Sequence, residues 1–175
     1  MGFQAVVNTD PAIGIPGQEV NPHQAVYTAF NYVSDGTLQA GGFAFAVAIT
    51  GDTPTEQNVA SSKASAGAKV LGFVERDQVV SIPNVADEAT AIYPEGTTPP
   101  IAIRGQFYAK ATGSVTEGQS VLCDPTSGAI TYGTAGSTND TGWIVVFPRG
   151  VKTVGNGDLV IYQNFGVSVS AAAGG

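Results

Sequence analysis

The chain has 175 residues, a length that single all-β domains often reach, and its 14 acidic and 7 basic residues give a net charge of −7. Hydrophobic residues make up 43% and charged residues 12%, which excludes an intrinsically disordered chain. The basic residues are scattered, and a negative field repels phosphate backbones, so we expect no nucleic-acid partner. Since no apolar run approaches about 20 residues, we expect no membrane-spanning helix.

Residues 1–24 predict an extended N-terminal arm. Pro11, Pro16 and Pro22 each fix φ and remove a backbone donor, which excludes a helix over residues 9–24. The arm nevertheless carries several apolar side chains that need cover. We expect it either to wrap around its own domain or to lie on a neighbouring subunit.

Residues 25–170 predict one β domain, built from short apolar runs between Gly- and Asp-rich turns. In chain order, the predicted elements are a strand over 25–33, a strand over 42–49 covered on both faces, a long exposed loop or β-excursion over 50–67, two strands within 68–82, a run over 85–93, hairpins over 101–132, a polar loop over 133–141, a strand over 143–147, and final strands over 159–162 and 165–169. Residues 171–175 predict a frayed tail. The predicted fold is all-β, a jelly-roll-like barrel or sandwich with the arm attached.

The clearest predicted hairpin turn lies between Asp124 and Gly128. An Asp side chain accepts hydrogen bonds from the backbone two residues further on, and Pro125 presets the next φ angle. Gly128 then supplies the positive φ that returns the chain to the second strand.

Groups that could perform chemistry are few. The single cysteine, Cys123, follows two apolar residues and predicts a small buried side chain. The single tryptophan, Trp143, predicts a core residue, and the single histidine, His23, lies in the arm and predicts a solvated or interface position. One His and one Cys are too few for a zinc site, and no phosphate-binding glycine loop precedes a helix. We therefore expect no catalytic, metal-binding or cofactor-binding residue.

Carboxylates deserve a separate test, because a glycosidase needs only two of them across a cleft. Glu75, Asp77, Glu95 and Asp124 are the candidates, and all four fall at predicted turns. Acids at turns are usually solvated, so a hydrolase is the weakest of the functional hypotheses.

Several stretches, in order along the chain, resemble the structural cement, or capsid decoration, proteins of tailed bacteriophages. They are PAIGIPG at 11–17 followed by Asn21–Pro22, LQAGGFAFA at 38–46, GFVER at 72–76, PEGTTPPIAIRGQFYAK at 94–110, and the hairpin from Gly118 to Gly128. Two features depart from the family pattern. His23 stands where a basic residue often follows Asn-Pro, and the polar loop at 50–67 is longer.

The resemblance implies a non-enzymatic protein, made in the host cytoplasm, that sits on the outer surface of the phage capsid. Its partners would be the major capsid protein and further copies of itself, as a dimer or trimer. The arm would make the capsid or subunit contacts, through Pro11, Ile13, Ile15, Pro16, Pro22 and His23.

Two alternatives stay open at this stage. A receptor- or carbohydrate-binding β module of a phage tail or baseplate predicts exposed aromatic rings around a pocket. A hydrolase predicts a cleft that holds two carboxylates.

Overall fold

A computed structural model describes residues 14–47, 58–77, 91–148, 150–151 and 153–166. Within these ranges the chain is all β, as predicted, and it contains no helix long and apolar enough to cross a membrane. The strands are β1 (Val26–Tyr27), β2 (Tyr32–Ser34), β3 (Phe43–Val47), β4 (Asn58–Ser61), β5 (Val70–Val74), β6 (Ile101–Lys110), β7 (Ser120–Cys123), β8 (Ile130–Gly133), β9 (Asp140–Val146) and β10 (Leu159–Asn164). The predicted tail at 171–175 and the first 13 residues of the predicted arm lie outside the described residues.

All ten strands belong to one sheet, with the order β2-β4-β3-β5-β6-β10-β9-β7-β8, and β1 pairs with β6 beside this path. The long strand β6 joins two halves. Its first residues pair with β5, and residues 105–110 pair with β10. The two end strands, β2 and β8, do not pair with each other in the part of the chain that the structure describes, so the sheet is open. Of the two predicted forms, the jelly-roll-like sandwich fits and the closed barrel does not.

Aromatic rings from both halves meet in the main core. Phe43 on β3 and Phe73 on β5 approach Trp143 on β9 with ring centroids 6.2 and 5.6 Å apart. Phe43 also stacks against Tyr162 on β10 at 6.1 Å. Because these rings come from opposite halves of the sheet, they define a two-layer arrangement with the core between the layers. Trp143 is only 1% exposed, which confirms its prediction as a core residue.

A second, smaller core lies against the same central strands. It contains Leu38, Ala44, Val74, Tyr93 and Ile101, all buried. Phe43 and Phe45 belong to the main core while Ala44, between them, belongs to the second. The predicted cover on both faces therefore holds for Phe43–Phe45 but not for the rest of β3, because Ala46 and Val47 are exposed; residues 48–49 lie outside the described part.

Cys123 is buried in the main core, as predicted. Burial, reinforced by the neighbouring Asp124 carboxylate, raises the pKa of its thiol to about 12. The thiol therefore stays protonated at neutral pH and packs as a small apolar group.

The hairpin between β7 and β8 forms as predicted. The Asp124 Oδ1 atom accepts a hydrogen bond from the Thr126 amide at 2.8 Å, and the Gly128 amide donates to the Asp124 carbonyl at 2.7 Å. Gly128 has a φ angle of 72°, which glycine adopts without strain.

Two predicted elements differ from the structure. The prediction of one strand over 25–33 is wrong, because β1 pairs with β6 while β2 pairs with β4, and residues 28–31 connect these two partners. Within the predicted loop at 50–67, residues Asn58–Ser61 form the interior strand β4; the preceding residues, 50–57, lie outside the described part. The small, polar side chains of this strand give no apolar pattern from which to predict it. Backbone pairing with β2 on one side and β3 on the other holds it in the sheet.

Other predictions fall partly on undescribed residues. The second strand expected within 68–82 and most of the run at 85–93 fall in the range 78–90, which the structure does not describe. At the C-terminal end, β10 continues to Asn164, whose side-chain oxygen accepts a hydrogen bond from the Gly166 amide at 2.9 Å. A strand was predicted over 165–169, but residues 165–166 form a bend instead, and residues 167–169 lie outside the described residues.

Candidate interface formed by the N-terminal strap

Residues 14–27, which we call the strap, lie along the chain's own strand β6. The Gly17 amide donates to the Tyr108 carbonyl at 2.7 Å, and the Tyr108 amide donates to the Gln18 carbonyl at 2.9 Å. The Val20 amide continues the pattern with the Gln106 carbonyl at 2.8 Å. Further along, β1 pairs with the first half of β6. The described end of the predicted arm therefore contacts its own domain through backbone hydrogen bonds.

Glycines in the PAIGIPG segment allow this close contact. A Cβ atom on Gly14 would lie 2.3 Å from the Tyr108 ring, and one on Gly17 would lie 2.9 Å from the Arg76 Cβ. Gly17 also has a positive φ angle, 89°, and so does Gly41 next to it, at 87°. Since larger residues would be strained or would clash there, the motif has an intramolecular reason in this chain.

Glu19 holds the bend that follows. Its Oε1 atom accepts hydrogen bonds from the amides of Gln24 at 2.9 Å and Ala25 at 2.8 Å, and its Oε2 atom accepts one from the His23 amide at 3.3 Å. His23 has a φ angle of 74°, one of the three positive values for non-glycine residues among the described positions. The carboxylate thus satisfies three amides of the turn that brings the strap back towards β6.

The predicted contact residues divide into three groups. Pro11 and Ile13 lie outside the described residues. Pro16 is half-buried and packs against the backbone of Gly41. Ile15, which is 47% exposed, and Pro22 and His23 are exposed.

A group of exposed apolar side chains near the strap was missed by the sequence analysis. We call it the apolar rim, and it consists of Val26, Tyr27, Phe30, Ile103 and Phe165. Phe30 is 67% exposed, the largest value among these residues. Strand pairing places Val26 opposite Arg104, next to Ile103, and the Asn164 side chain donates to the Ile103 carbonyl at 3.2 Å. Val26, Tyr27 and Ile103 lie on strands, whereas Phe30 lies in the connection between β1 and β2 and Phe165 at the bend after β10. A group of exposed apolar side chains is typical of interaction surfaces.

The sequence did contain a signal for this rim. Residues 25–33 hold three aromatic residues but show no strict alternation of apolar and polar positions. A half-buried strand would alternate, so the irregular run indicated that some of these rings had no core position.

A small acidic hollow borders the rim. Tyr27, Glu75, Arg76, Asp77 and Pro100 line its volume of about 230 Å³. The Tyr27 hydroxyl donates to the Glu75 Oε2 atom at 2.5 Å. Burial raises the pKa of Glu75, and the carboxylates of Glu19 and Asp77 raise it further, while the bond from Tyr27 opposes the shift.

The other candidate acids hold turns. The Asp124 carboxylate accepts hydrogen bonds from the amide and hydroxyl of Thr126, which lower its pKa. Glu95 lies in the turn at 95–96. Among the described residues, no group of three His, Cys, Asp or Glu side chains comes together to hold a metal ion.

One family model matches most of the chain. The family model described as "Structural cement protein (E217 gp24/Pam3 gp6)" matches residues 3–164 of the 175. A comparison with curated proteins found no match. The match covers the strap, the sandwich and every strand described above. The chain therefore belongs to the phage structural cement protein family, whose members are structural components of the virion.

Proposed function

We propose that this protein binds the outside of the assembled phage capsid, bridges neighbouring major capsid subunits and stabilises the shell without catalysing a reaction. It would be made in the host cytoplasm and act as a homo-oligomer, with no nucleic-acid or membrane partner. The observation that carries the proposal, beyond the family, is the apolar rim beside the strap. It offers three exposed rings, Tyr27, Phe30 and Phe165, and two exposed aliphatic side chains, the kind of surface that protein partners cover.

Stabilisation by such a protein follows from mass action. A protein that binds the assembled lattice and not its free subunits lowers the free energy of the lattice alone. No reactive group is needed, and the pairing of β1 with β6 holds the backbone at Val26 and Tyr27, which lowers the cost of ordering these two rim residues on binding.

The strap and the residues before it would supply the second contact. Pro11, Ile13, Ile15, Pro22 and His23 would reach a neighbouring subunit, while Pro16 keeps the strap in place on its own domain. An extended segment gains contact area without a larger body, so it suits a protein that joins two subunits.

Substitutions in the rim test this proposal. Phe30→Ser removes the most exposed ring of the rim and leaves the cores untouched. We expect its binding to empty capsids, measured by cosedimentation, to weaken roughly tenfold or more, because an aromatic side chain at an interface often contributes at least about 2 kcal/mol. Val47→Ser, an exposed apolar position on β3 outside the rim, is the matched control and should bind normally. Equal binding by both variants would refute the role of the rim.

Deletions test the arm separately. Removal of residues 1–13 leaves every described contact of the strap in place, whereas removal of residues 1–22 also takes away the bonds from Gly17 and Val20 to β6. We expect weaker capsid binding from both, with the larger loss in the second. Undiminished binding after both deletions would rule out a contact role for the arm.

A second candidate function has one observation in its favour. Tyr27, Phe30 and Tyr32, with Pro99 and Pro100, line a hollow of about 250 Å³. Aromatic rings around a hollow are the feature that a carbohydrate-binding module would show. Saturable binding on a glycan array that is lost in Phe30→Ser would favour this function, and normal capsid binding in the same variant would complete the case.

A further inference from the structure

The seat of the strap on β6 fits this particular segment. Both backbone groups of Tyr108 are hydrogen-bonded to the strap. A Cβ atom at Gly14 would overlap the Tyr108 ring, and one at Gly17 would lie 2.9 Å from the Arg76 Cβ. An extended segment of another sequence would place side chains at these two positions and clash. The seat therefore favours a strap of this same sequence over other extended segments.

Little apolar burial holds the strap in its seat. Gly17 is the only buried residue within 14–27, and glycine has no side chain to bury. Val26 and Tyr27 stay exposed although they pair with β6. A backbone hydrogen bond that opens is replaced by bonds to water, so each one contributes little net stability. The strap can therefore leave its seat while the aromatic core stays folded.

An open strap leaves an unpaired strand edge behind it. The amide and carbonyl of Tyr108 and the carbonyl of Gln106 then lose their strap partners. Unpaired strand edges capture extended segments from other chains. Because the seat fits its own sequence, the segment that best replaces a missing strap is the strap of a second copy.

The connection that follows the strap is short and exposed. Residues 28–31 link β1 to β2, and these two strands pair with different partners, β6 and β4. Ala29, Phe30 and Asn31 are all exposed, and Phe30 is 67% exposed. Short connections of this kind favour the exchange of an element between copies.

We propose that two copies of this protein exchange straps, so that residues 14–27 of each copy pair with β6 of the other. This inference deepens the self-association in the proposed function and rests on it. Closed copies, in which the strap lies on its own domain, are in equilibrium with the exchanged pair. Both states make the same strap contacts, and only the connection at 28–31 changes its path. The two connections meet at a two-fold axis, where each Phe30 ring gains apolar cover that a closed copy lacks.

Crosslinking tests which copy provides the strap. Asn21 on the strap donates a hydrogen bond from its side chain to that of Gln106 on β6, at 2.9 Å. A chain that carries both Asn21→Cys and Gln106→Cys is treated with a short thiol crosslinker at high protein concentration, quenched and denatured. We expect a covalent dimer, because each strap thiol faces the β6 thiol of the other copy. Cys123 is buried and stays unmodified in the folded protein.

A matched pair of thiols within the body is the control. Gln163 on β10 lies opposite Gln106, and their side chains are hydrogen-bonded at 2.6 Å. A chain with Gln106→Cys and Gln163→Cys should give only a covalent monomer, because strap exchange leaves β6 and β10 in the same copy. Dilution immediately before crosslinking should preserve the dimer of the strap pair and remove any dimer formed by collision.

A longer connection provides a second variant. Three glycines inserted after Ala29 let the strap fold back on its own copy more easily, so the covalent dimer of the strap pair should fall severalfold. This insertion lies in an exposed bend and leaves the residues of the strap and of β6 unchanged.

Each contrary outcome overturns the inference. A covalent monomer alone from the strap pair, as much covalent dimer from the control pair, or a dimer that the insertion leaves unchanged would each refute strap exchange. Sedimentation velocity and capsid cosedimentation of the wild type separate this inference from the proposed function. A wild type that self-associates while the strap pair gives only covalent monomer would refute exchange and leave self-association standing. A covalent dimer from the strap pair, with a wild type that never binds capsids, would refute the cement role alone.

Discussion

The aromatic core and the strap are held by alternate residues of the same strand, through different interactions. Phe107 of β6 points into the core, with ring centroids 5.1 Å from Phe73 and 5.9 Å from Trp143. Its neighbour Tyr108 uses both backbone groups to bind the strap. Burial of a large side chain stabilises the fold by more than one backbone hydrogen bond does, about 1.5–3 against 0.5–1.5 kcal/mol. The comparison implies that the strap can open while the core stays folded.

The largest expected effect comes from the core. Trp143→Ala removes a ring that contacts three other aromatic residues and leaves a cavity between the two halves of the sheet. We expect the free energy of unfolding, measured with urea, to fall by about 3–5 kcal/mol. Phe30→Ala, which removes an exposed ring, should change it by less than about 0.5 kcal/mol. Similar losses in both variants would mean that the rim also carries the fold.

An intermediate effect, confined to the strap, is expected from Gly17→Ala. The added Cβ meets Arg76 at 2.9 Å, and the φ angle of 89° is strained for alanine, at a cost of about 1–3 kcal/mol. Hydrogen exchange should accelerate at the Tyr108 and Val20 amides and stay unchanged in β9 and β10. The control is Gly113→Ala, because a Cβ at Gly113 would meet no atom within 4 Å. Uniform acceleration across the sheet would show that strap and core open as one unit.

The smallest effect concerns Glu75, which links the strap to the body through Tyr27. Its pKa is raised in the folded protein, so the folded state binds more protons than the unfolded state between the ordinary pKa of 4.5 and the raised value. Stability should therefore fall as pH rises through this window and be higher on its acidic side. In thermal melts, Glu75→Gln should remove this part of the pH dependence and raise the melting temperature slightly at neutral pH. A variant with the same pH profile as the wild type would contradict this assignment.

Local chemistry explains which features could be predicted from the sequence. The turn at Asp124 and Gly128 and the two-sided cover of Phe43–Phe45 in β3 depend on residues close together in the chain, and both were predictable. The split of residues 25–33 was not, because it depends on which distant strand each half pairs with. The irregular apolar pattern of residues 25–33 indicated that some of its rings lack a core position, but which rings are exposed is decided by strands far along the chain.

The candidate interface was only partly foreseen. The arm was predicted as an extended segment, and its described part does lie extended along β6. However, the glycines of the PAIGIPG segment serve an internal contact, which no pattern in the sequence distinguishes from an external one.

The central claim is tested most directly on capsids that lack this protein. The purified protein is titrated onto empty shells, and both the bound amount and the temperature at which the shells open are measured. We expect saturable binding to assembled shells, none to free capsid subunits, and an opening temperature that rises with occupancy. Absence of binding, or full occupancy without any rise in the opening temperature, would contradict a cement function for this protein.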